Sequence, residues 1–454
     1  MKQISMKNRQ EYTYYLFLYL KNNDKDLFRE EFLDLHPTDQ SEIFKQMGEV
    51  KRKKVYQFLS AEEFSQLFKG LHLHEQKQIF TELDDVYVLK MLKELPADEI
   101  TDFFSEIPEH IASYLLNKME KKEAENIKLL LTYQDHTAGS LMTTEFIKVS
   151  PHITAEKLME QLRQEGMSAE TIYYIYVVSE VDKLIGVVSL RELITSPLDR
   201  KVEQLMKEQV VTVTATTDQE HVSTIIKDYN LLAVPVVTSG DRIVGIVTVD
   251  DVMDVMEEEI TEDIGEFAAV KGALDLDVNS LIATKKRLPW LILLLILGMF
   301  TAGLINFFEA TLAEVAILAI FIPLIADMAG NTGTQSLAVV VRGMALNKID
   351  STAFWRLLKR EIETGLMMGF VCGGLVSIVA LLIPQGSPAL GLIIGISLFV
   401  TILFSTLSGT VIPLIINKLK IDPAVASGPF ITTINDIIGL FIYFSIATSL
   451  LHYL

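Results

Sequence analysis

A single cysteine, Cys372, stands in 454 residues, and its surroundings are apolar, so neither a disulfide framework nor a thiolate metal site can be built. Basic residues are outnumbered, 40 Lys and Arg against 59 Asp and Glu, for a formal charge of −19. An acidic chain disfavours nucleic acid as a partner and favours cations. No phosphate-cradling glycine loop of the Walker type occurs, which argues against an ATP-driven pump and leaves no sign of an enzyme. The opening MKQISMKNRQEYTYYLFLYL has a short apolar portion interrupted by Tyr and lacks a small-residue cleavage site. It does not read as a signal peptide, and the front of the chain is expected to stay in the cytoplasm. Elsewhere charge itself is missing: none lies between Thr364 and Asn417, and only Asp436 between Ala424 and Leu451. About 20 apolar residues suffice to cross a bilayer.

The charge is unevenly placed. From Asn279 onward ten basic residues balance eight acidic ones, which leaves thirty basic and fifty-one acidic residues in the first 278. The front is therefore acidic and soluble, and the back is a membrane region. Five apolar segments are expected: Pro289–Phe308, Val315–Val341, two within Thr364–Asn417 split by PQGSP at 384–388, and Ala424–Leu451. The basic residues cluster at alternate ends: Lys285, Lys286 and Arg287; Arg342, Lys348, Arg356, Lys359 and Arg360; Lys418 and Lys420. The opposite loops carry only Glu309 and Glu314. The positive-inside rule then puts the N-terminus in the cytoplasm and the C-terminus outside.

A carboxylate inside a span is costly unless it faces water, protein or an ion, so Asp436 is a candidate pore residue. Thr432 lies one helical turn before it, and a carboxylate with a hydroxyl or carbonyl beside it suits a hard cation. Gly428 and Pro429 are expected to interrupt the helix just ahead and free backbone carbonyls toward a cavity. The second segment holds PLIADMAGNTGTQS, from Pro323 to Ser336. Its proline and glycines suggest a broken or tightly packed helix. Asn331, Thr332, Thr334 and Gln335 either pack helices together or line the same aqueous path, and Asp327 is a second intramembrane acid. No His or Lys falls inside the expected spans, so a proton relay lacks its parts.

Toward the front, residues 1–132 repeat with a period of twelve, apolar at Leu35, Met47, Leu59, Leu71, Leu83, Leu95 and Ile107. Short helices at a fixed period read as a solenoid. His36, His72, His74 and His110 fall near helix starts at no metal-ligand spacing and read as surface residues. Residues 133–256 alternate β-branched runs with helical stretches and are duplicated. Leu141-Met142 recurs as Leu205-Met206, and GVVSLREL at Gly186 recurs as GIVTVDDV at Gly245. This resembles a tandem pair of CBS domains, carried by Gly186, Ser189, Glu192 and Gly245, Thr248, Asp251. The resemblance implies that Thr248 and Asp251 are the better candidates for holding a nucleotide's ribose; ATP or another adenine nucleotide, or an empty pair, are the alternatives. The next stretch is dense in acid and reads as one long helix over 251–283. Asp251, Asp254, Glu258 and Glu262 share one face, with Glu259 and Asp263 beside them, and like charges so spaced repel. A divalent cation bridging them to Asp218 and Glu220 would reverse that; a solvated linker helix is the plain alternative.

Taken together, the chain resembles the MgtE family of magnesium channels. GNTGTQS at 330–336 matches the family's Gly-Asn-x-Gly-x-Gln pattern, with Ala329 where many members carry a second glycine. DPAVASGPFITTINDIIG, from Asp422 to Gly439, matches the fifth span. The resemblance implies a multidomain chain: an α-helical solenoid (1–132), an α/β pair of CBS domains (133–196 and 197–256), an acidic connecting helix acting as a plug (257–284) and an all-α membrane domain of five spans (285–454). It also implies a homodimer in the lipid bilayer of the cell membrane, with the pore between subunits and one Asp436 from each. Mg²⁺ is then both the carried ion and the regulatory one, closing the pore when bound among cytoplasmic acids: Asp251, Glu259, Glu262 and Asp263 on the plug side, Glu220 on the CBS side and Glu63 in the solenoid. No other protein partner is evident. Two further readings compete. A broader divalent-cation secondary transporter for Co²⁺, Ni²⁺ or Mn²⁺ would favour an inverted internal repeat, which is not evident. A membrane-anchored nucleotide sensor would not need acids inside its spans.

Overall fold

The computed structural model describes residues 6–270, 278–345, 351–383, 386–419 and 428–450. It divides into two units, Met1–Met256 and Glu257–Leu454.

The first unit begins with ten helices: α1 (Met6–Asn22), α2 (Lys25–Leu33), α3 (Pro37–Lys45), α4 (Glu49–Phe58), α5 (Ala61–Lys69), α6 (Leu73–Phe80), α7 (Asp85–Leu92), α8 (Ala97–Glu106), α9 (Glu109–Leu116) and α10 (Lys121–Leu130). From α2 onward each helix starts twelve residues after the last. The period follows from local chemistry. Each repeat spends about ten residues on a helix and two on a bend opened by a capping residue, such as Asp24, His36, Ser60 or Asp84, whose side chain accepts a hydrogen bond from a backbone N–H of the first turn. The apolar residue at each bend is buried, as at Leu35, Met47, Leu59, Leu71, Leu95 and Ile107. Alternate helices pack on each other, α3 on α5, α5 on α7, α6 on α8 and α8 on α10. Ion pairs bridge neighbouring turns about thirty residues apart, including Arg52–Glu82, Lys45–Glu75 and Lys69–Glu99. The solenoid expectation holds. His36 and His72 are helix caps.

After the short α11 (Ala138–Leu141) come two copies of one α/β unit. The first is β1 (Lys148–Val149), α12 (Ala155–Glu165), β2 (Tyr174–Val178), β3 (Leu184–Ser189) and α13 (Leu190–Thr195). The second is β4 (Val213–Thr214), α14 (Gln219–Tyr229), β5 (Ala233–Val237), β6 (Ile243–Thr248) and α15 (Val249–Phe267). In each sheet the first strand runs parallel to the middle one and the middle one antiparallel to the last, with an irregularity at equivalent points, Val177/Val178 and Val236/Val237. The Leu-Met pairs are exchanged between copies. Met142 packs under Gly245 of the second sheet and Met206 under Gly186 of the first; a Cβ at either glycine would lie within 3 Å of the methionine sulfur. Backbone bridges Thr143–Ile246 and Val187–Lys207 fasten the exchange. The Leu-Met pairs and α12/α14 repeat at 64 residues and the last two strands at 59, because the connection from α12 to β2 (166–173) is five residues longer than that from α14 to β5 (230–232).

The acidic helix expected over 251–283 is α15. It opens at Val249, as part of the second copy, and closes at Phe267. Residues 271–277 of that stretch lie outside the described residues.

The second unit holds α16 (Ser280–Phe307), α17 (Glu309–Glu314), α18 (Ile322–Ala345), α19 (Ser351–Leu382), α20 (Pro388–Lys418) and α21 (Gly428–Ser449). Among the described residues, five helices are long and apolar enough to cross a membrane: Ser280–Phe307, Ala316–Met344, Ala353–Leu382, Pro388–Ile416 and Gly428–Ser449. They correct the expected segments at the ends. Lys285, Lys286 and Arg287 lie inside α16, and Arg356, Lys359 and Arg360 inside α19, because backbone hydrogen bonding continues past the apolar stretch into polar flanks. The helix carrying GNTGTQS is not broken. Pro323 sits in its first turn, where a missing N–H costs nothing, and a 3₁₀ turn over Ala316–Phe321 leads into it. Likewise Gly428 and Pro429 open α21; residues 420–427 before them, including Lys420 and Asp422, lie outside the described residues, as do Lys348 and 384–385. Helix α20 packs on α18, α19 and α21, and α18 also packs on α21.

Candidate functional site

Two acid-bearing sites are built, one in each unit. In the membrane unit, α18 and α21 meet backbone to side chain. A Cβ on Gly330 would lie 2.5 Å from Thr432 Cγ2 and 3.2 Å from Asp436 Oδ1, so glycine alone lets the carboxylate-bearing face of α21 lie against the motif. The Thr334 and Thr432 hydroxyls are 3.1 Å apart, and Thr334 also donates to the Gly330 carbonyl at 3.0 Å. Asp436 is half-buried, and its Oδ1 is shielded without a hydrogen-bond partner. Asp327, one face along α18, is exposed and close enough for its charge to act on Asp436. Asn331, Thr332, Thr334 and Gln335 line a cavity of about 570 Å³ closed by Met328, Met368, Cys372 and Ile402. Neither Asp436 nor Asp327 lines that cavity; the Thr334–Thr432 pair is where the two groups touch.

A residue absent from the sequence reading holds this arrangement. Asn435 is fully buried, accepts a hydrogen bond from Ser408 of α20, and its amide lies where a side chain on Gly333 would be. Gly409 of α20 in turn abuts the backbone of Gly333. Three helices thus converge on two glycines and one amide, the small-residue packing that membranes favour. Farther along α21, the Tyr443 hydroxyl donates to the Leu318 carbonyl at 2.8 Å. An Asn beside an intramembrane Asp was the available signal.

In the first unit the carboxylates crowd. Asp98 and Glu99 in the first turn of α8, Glu145 and Glu170 in the first CBS copy, and Asp251 and Asp254 on α15 act on one another, with Lys69 bonded to Glu99 at 3.2 Å among them. Burial, then the charges of Asp251 and Glu99, push the Asp98 carboxyl up to about 8. Burial likewise pushes Asp251 up to about 6, against hydrogen bonds from Thr248 that favour its charged form. Burial raises Glu99 and Glu145 as well. Six acids facing each other with one ammonium is an arrangement short of positive charge. Among the described residues, no three His, Cys, Asp or Glu side chains converge closely enough to hold a metal as they stand.

The other expected acids are dispersed. Glu258 and Asp263 are exposed along α15, Glu259 and Glu262 half-exposed, and Glu220 is exposed in the first turn of α14, which Asp218 caps. Glu63 is engaged elsewhere. It takes both Arg29 nitrogens, at 2.5 and 2.7 Å, and caps α5 by accepting the Ser60 N–H. Partly buried, it is nonetheless held below the ordinary carboxylate range by those bonds. Asp98 and Glu99 are the solenoid acids that reach the CBS carboxylates; they stand in LPADEITDFF, legible as a helix start but not as a contact. Thr248 donates to Asp251 at 2.5 Å, as Ser189 does to Glu192 at 2.8 Å, so each pair expected at a ribose caps its own helix.

Family comparisons divide the chain along the same lines. A divalent cation transporter family, MgtE, matches residues 322–446; the MgtE intracellular N domain matches 35–136; CBS domains match 138–199 and 202–258. A Bacillus subtilis protein named magnesium transporter MgtE is 39% identical over 94% of this chain and 94% of its own. One of the same name from Enterococcus faecalis is 41% identical over 96% of each. The soluble part of a magnesium transporter superposes with a TM-score of 0.53 at 37% identity, covering 55% of this chain and 99% of that one. A cytosolic domain described as that of the Mg²⁺ channel MgtE in complex with ATP superposes with a TM-score of 0.52 at 32% identity, covering 54% and 99%.

Proposed function

This chain belongs to the MgtE family of divalent cation transporters, and from that premise we propose that it is a magnesium channel whose pore carboxylate is Asp436 and whose cytoplasmic acids close it when Mg²⁺ binds them. The observation that carries the reading is the meeting of Asp436 and Thr432 with the glycine face of GNTGTQS. Mg²⁺ releases its waters reluctantly and is usually held through one or two carboxylates. A half-buried carboxylate with hydroxyls one turn away suits a hydrated ion, and a homodimer would bring two such sites to its twofold axis. Asp327 supplies a second charge on the approach. With the N-terminus in the cytoplasm, the membrane potential drives entry, worth roughly 2.3 kcal/mol per charge per 100 mV.

The gate is read from electrostatics. Without Mg²⁺, the carboxylates of α8, the first CBS copy and α15 repel; bridging ions draw them together, and the closed state gains whatever extra affinity it offers the ion. On this reading Asp98, Glu99, Asp251 and Asp254 are regulatory ligands, with Glu220, Glu258, Glu259, Glu262 and Asp263 adding charge along α15 and α14. A nucleotide at the CBS pair would have to displace the Thr248–Asp251 cap.

The test is Mg²⁺ flux into proteoliposomes under an imposed potential, native chain against Asp436→Ala. Lost flux with assembly intact supports the pore; undiminished flux overturns it and moves attention to Asp327.

A further inference from the structure

Many basic residues of the solenoid are paired with acids. Arg9 meets Asp39, Arg29 Glu63, Lys45 Glu75, Arg52 Glu82, Lys53 Glu49 and Lys69 Glu99. Other ammonium groups are without one, and where several gather on one surface their charge adds. Three such lysines, Lys21, Lys51 and Lys54, take part in no ion pair among the described residues, and all three border one groove between α1 and α4. Its volume is about 470 Å³, and its remaining lining is apolar or aromatic: Tyr14, Phe17, Leu18, Leu20 and Val50. Lys51 rests its ammonium 3.5 Å from the centre of the Phe17 ring, and Lys54 donates to the Leu20 carbonyl at 2.7 Å. Tyr14 is 64% exposed and Val50 78% exposed.

Apolar side chains at a rim of uncompensated lysines match a ligand with a hydrocarbon body and an anionic head. The chain carries five membrane-crossing helices, so such molecules surround it wherever it works. We propose that the α1–α4 groove is a docking site for anionic phospholipid, the lysines taking the headgroup phosphate and Tyr14 and Val50 entering the acyl boundary. Basic clusters beside a membrane bind its anionic leaflet in this way, and the attraction falls off within a Debye length. Docking would tether the front of the solenoid to the bilayer, independently of any ion at the carboxylates.

The test uses the full chain with Cys372→Ala and Val50→Cys, labelled at residue 50 with a polarity-sensitive fluorophore, in Mg²⁺-free nanodiscs containing spin-labelled lipid. With phosphatidylglycerol present, emission shifts to the blue and is quenched about twofold or more; with phosphatidylcholine alone it is not, and 1 M salt abolishes the difference. Replacing Lys21, Lys51 and Lys54 by Gln removes the quenching. Because Lys51 and Lys54 also brace α1, Lys21→Gln alone and Tyr14→Asp are made as well, each expected to weaken quenching partway at unchanged helix content. Equal quenching in both lipids, or quenching indifferent to the lysines, overturns the proposal. So does a blue shift without quenching by the spin-labelled lipid, which would assign the groove to protein.

Discussion

The two acid sites solve opposite problems with the same functional group. In the first unit, Asp98, Glu99, Glu145, Glu170, Asp251 and Asp254 are packed until burial and mutual charge hold Asp98 in its protonated form up to about pH 8. In the second, Asp436 stands with Asp327 as its acidic neighbour, set against glycine and threonine. Crowded carboxylates store repulsion that a cation releases, so they suit a sensor. A sparsely flanked carboxylate beside hydroxyls offers charge without a cage, which suits passage. On the proposed reading, selectivity for an ion and response to that ion are separable, and each can be broken alone.

The sharpest break is at Asp436. On the proposed reading Asp436→Asn lowers Mg²⁺ flux by roughly a hundredfold, the scale of about 3 kcal/mol of lost ion stabilisation. Closure by cytoplasmic Mg²⁺, followed as protease protection of the first unit, stays unchanged. Next comes the glycine contact. Gly333→Ala forces Asn435 from its slot, an overpacking cost of about 1–3 kcal/mol, and flux assays should show a loss of roughly tenfold with a lowered unfolding temperature.

The converse break is at Asp98 and Asp251. The double Asn variant should leave open-channel flux intact, weaken the Mg²⁺ dependence of closure severalfold, and stabilise the Mg²⁺-free first unit. The pH dependence has a definite sign. The folded state keeps the Asp98 proton to about pH 8, whereas the unfolded chain loses it near an ordinary carboxylate value of about 4. Between these the folded form binds more protons, so Mg²⁺-free stability falls as pH rises from about 4 to 8. Mg²⁺ binding near pH 7 should accordingly release up to about one proton per chain, measured in weak buffer, and almost none at pH 9 or in Asp98→Asn. The smallest effect is at Glu63. Glu63→Gln loses the Arg29 pair and costs less than about 1 kcal/mol of thermal stability, with the Mg²⁺ response unmoved.

Architecture was written plainly in the chain. The twelve-residue recurrence of Leu35, Met47, Leu59 and their successors is a local pattern, because each helix and its bend are specified within one repeat. The duplicated strands and charge-free runs are local too, and the GNTGTQS and TTIND motifs carried the family. Contacts between repeats were not legible. Nothing in LPADEITDFF says that Asp98 will face Asp251 some 150 residues later, since the register of a solenoid against its neighbour is set by three-dimensional packing. Glu62 and Asp98 are equivalent in sequence, each the second residue of its helix, yet Glu62 is exposed and Asp98 is set against Asp251. The exchange of Met142 and Met206 between sheets and the Asn435 slot are of the same kind. Periodicity, composition and span length fix which elements form, because those depend on neighbours along the chain. Which acids meet, and which are already satisfied, depends on neighbours in space, and there burial and charge are settled by the tertiary structure alone.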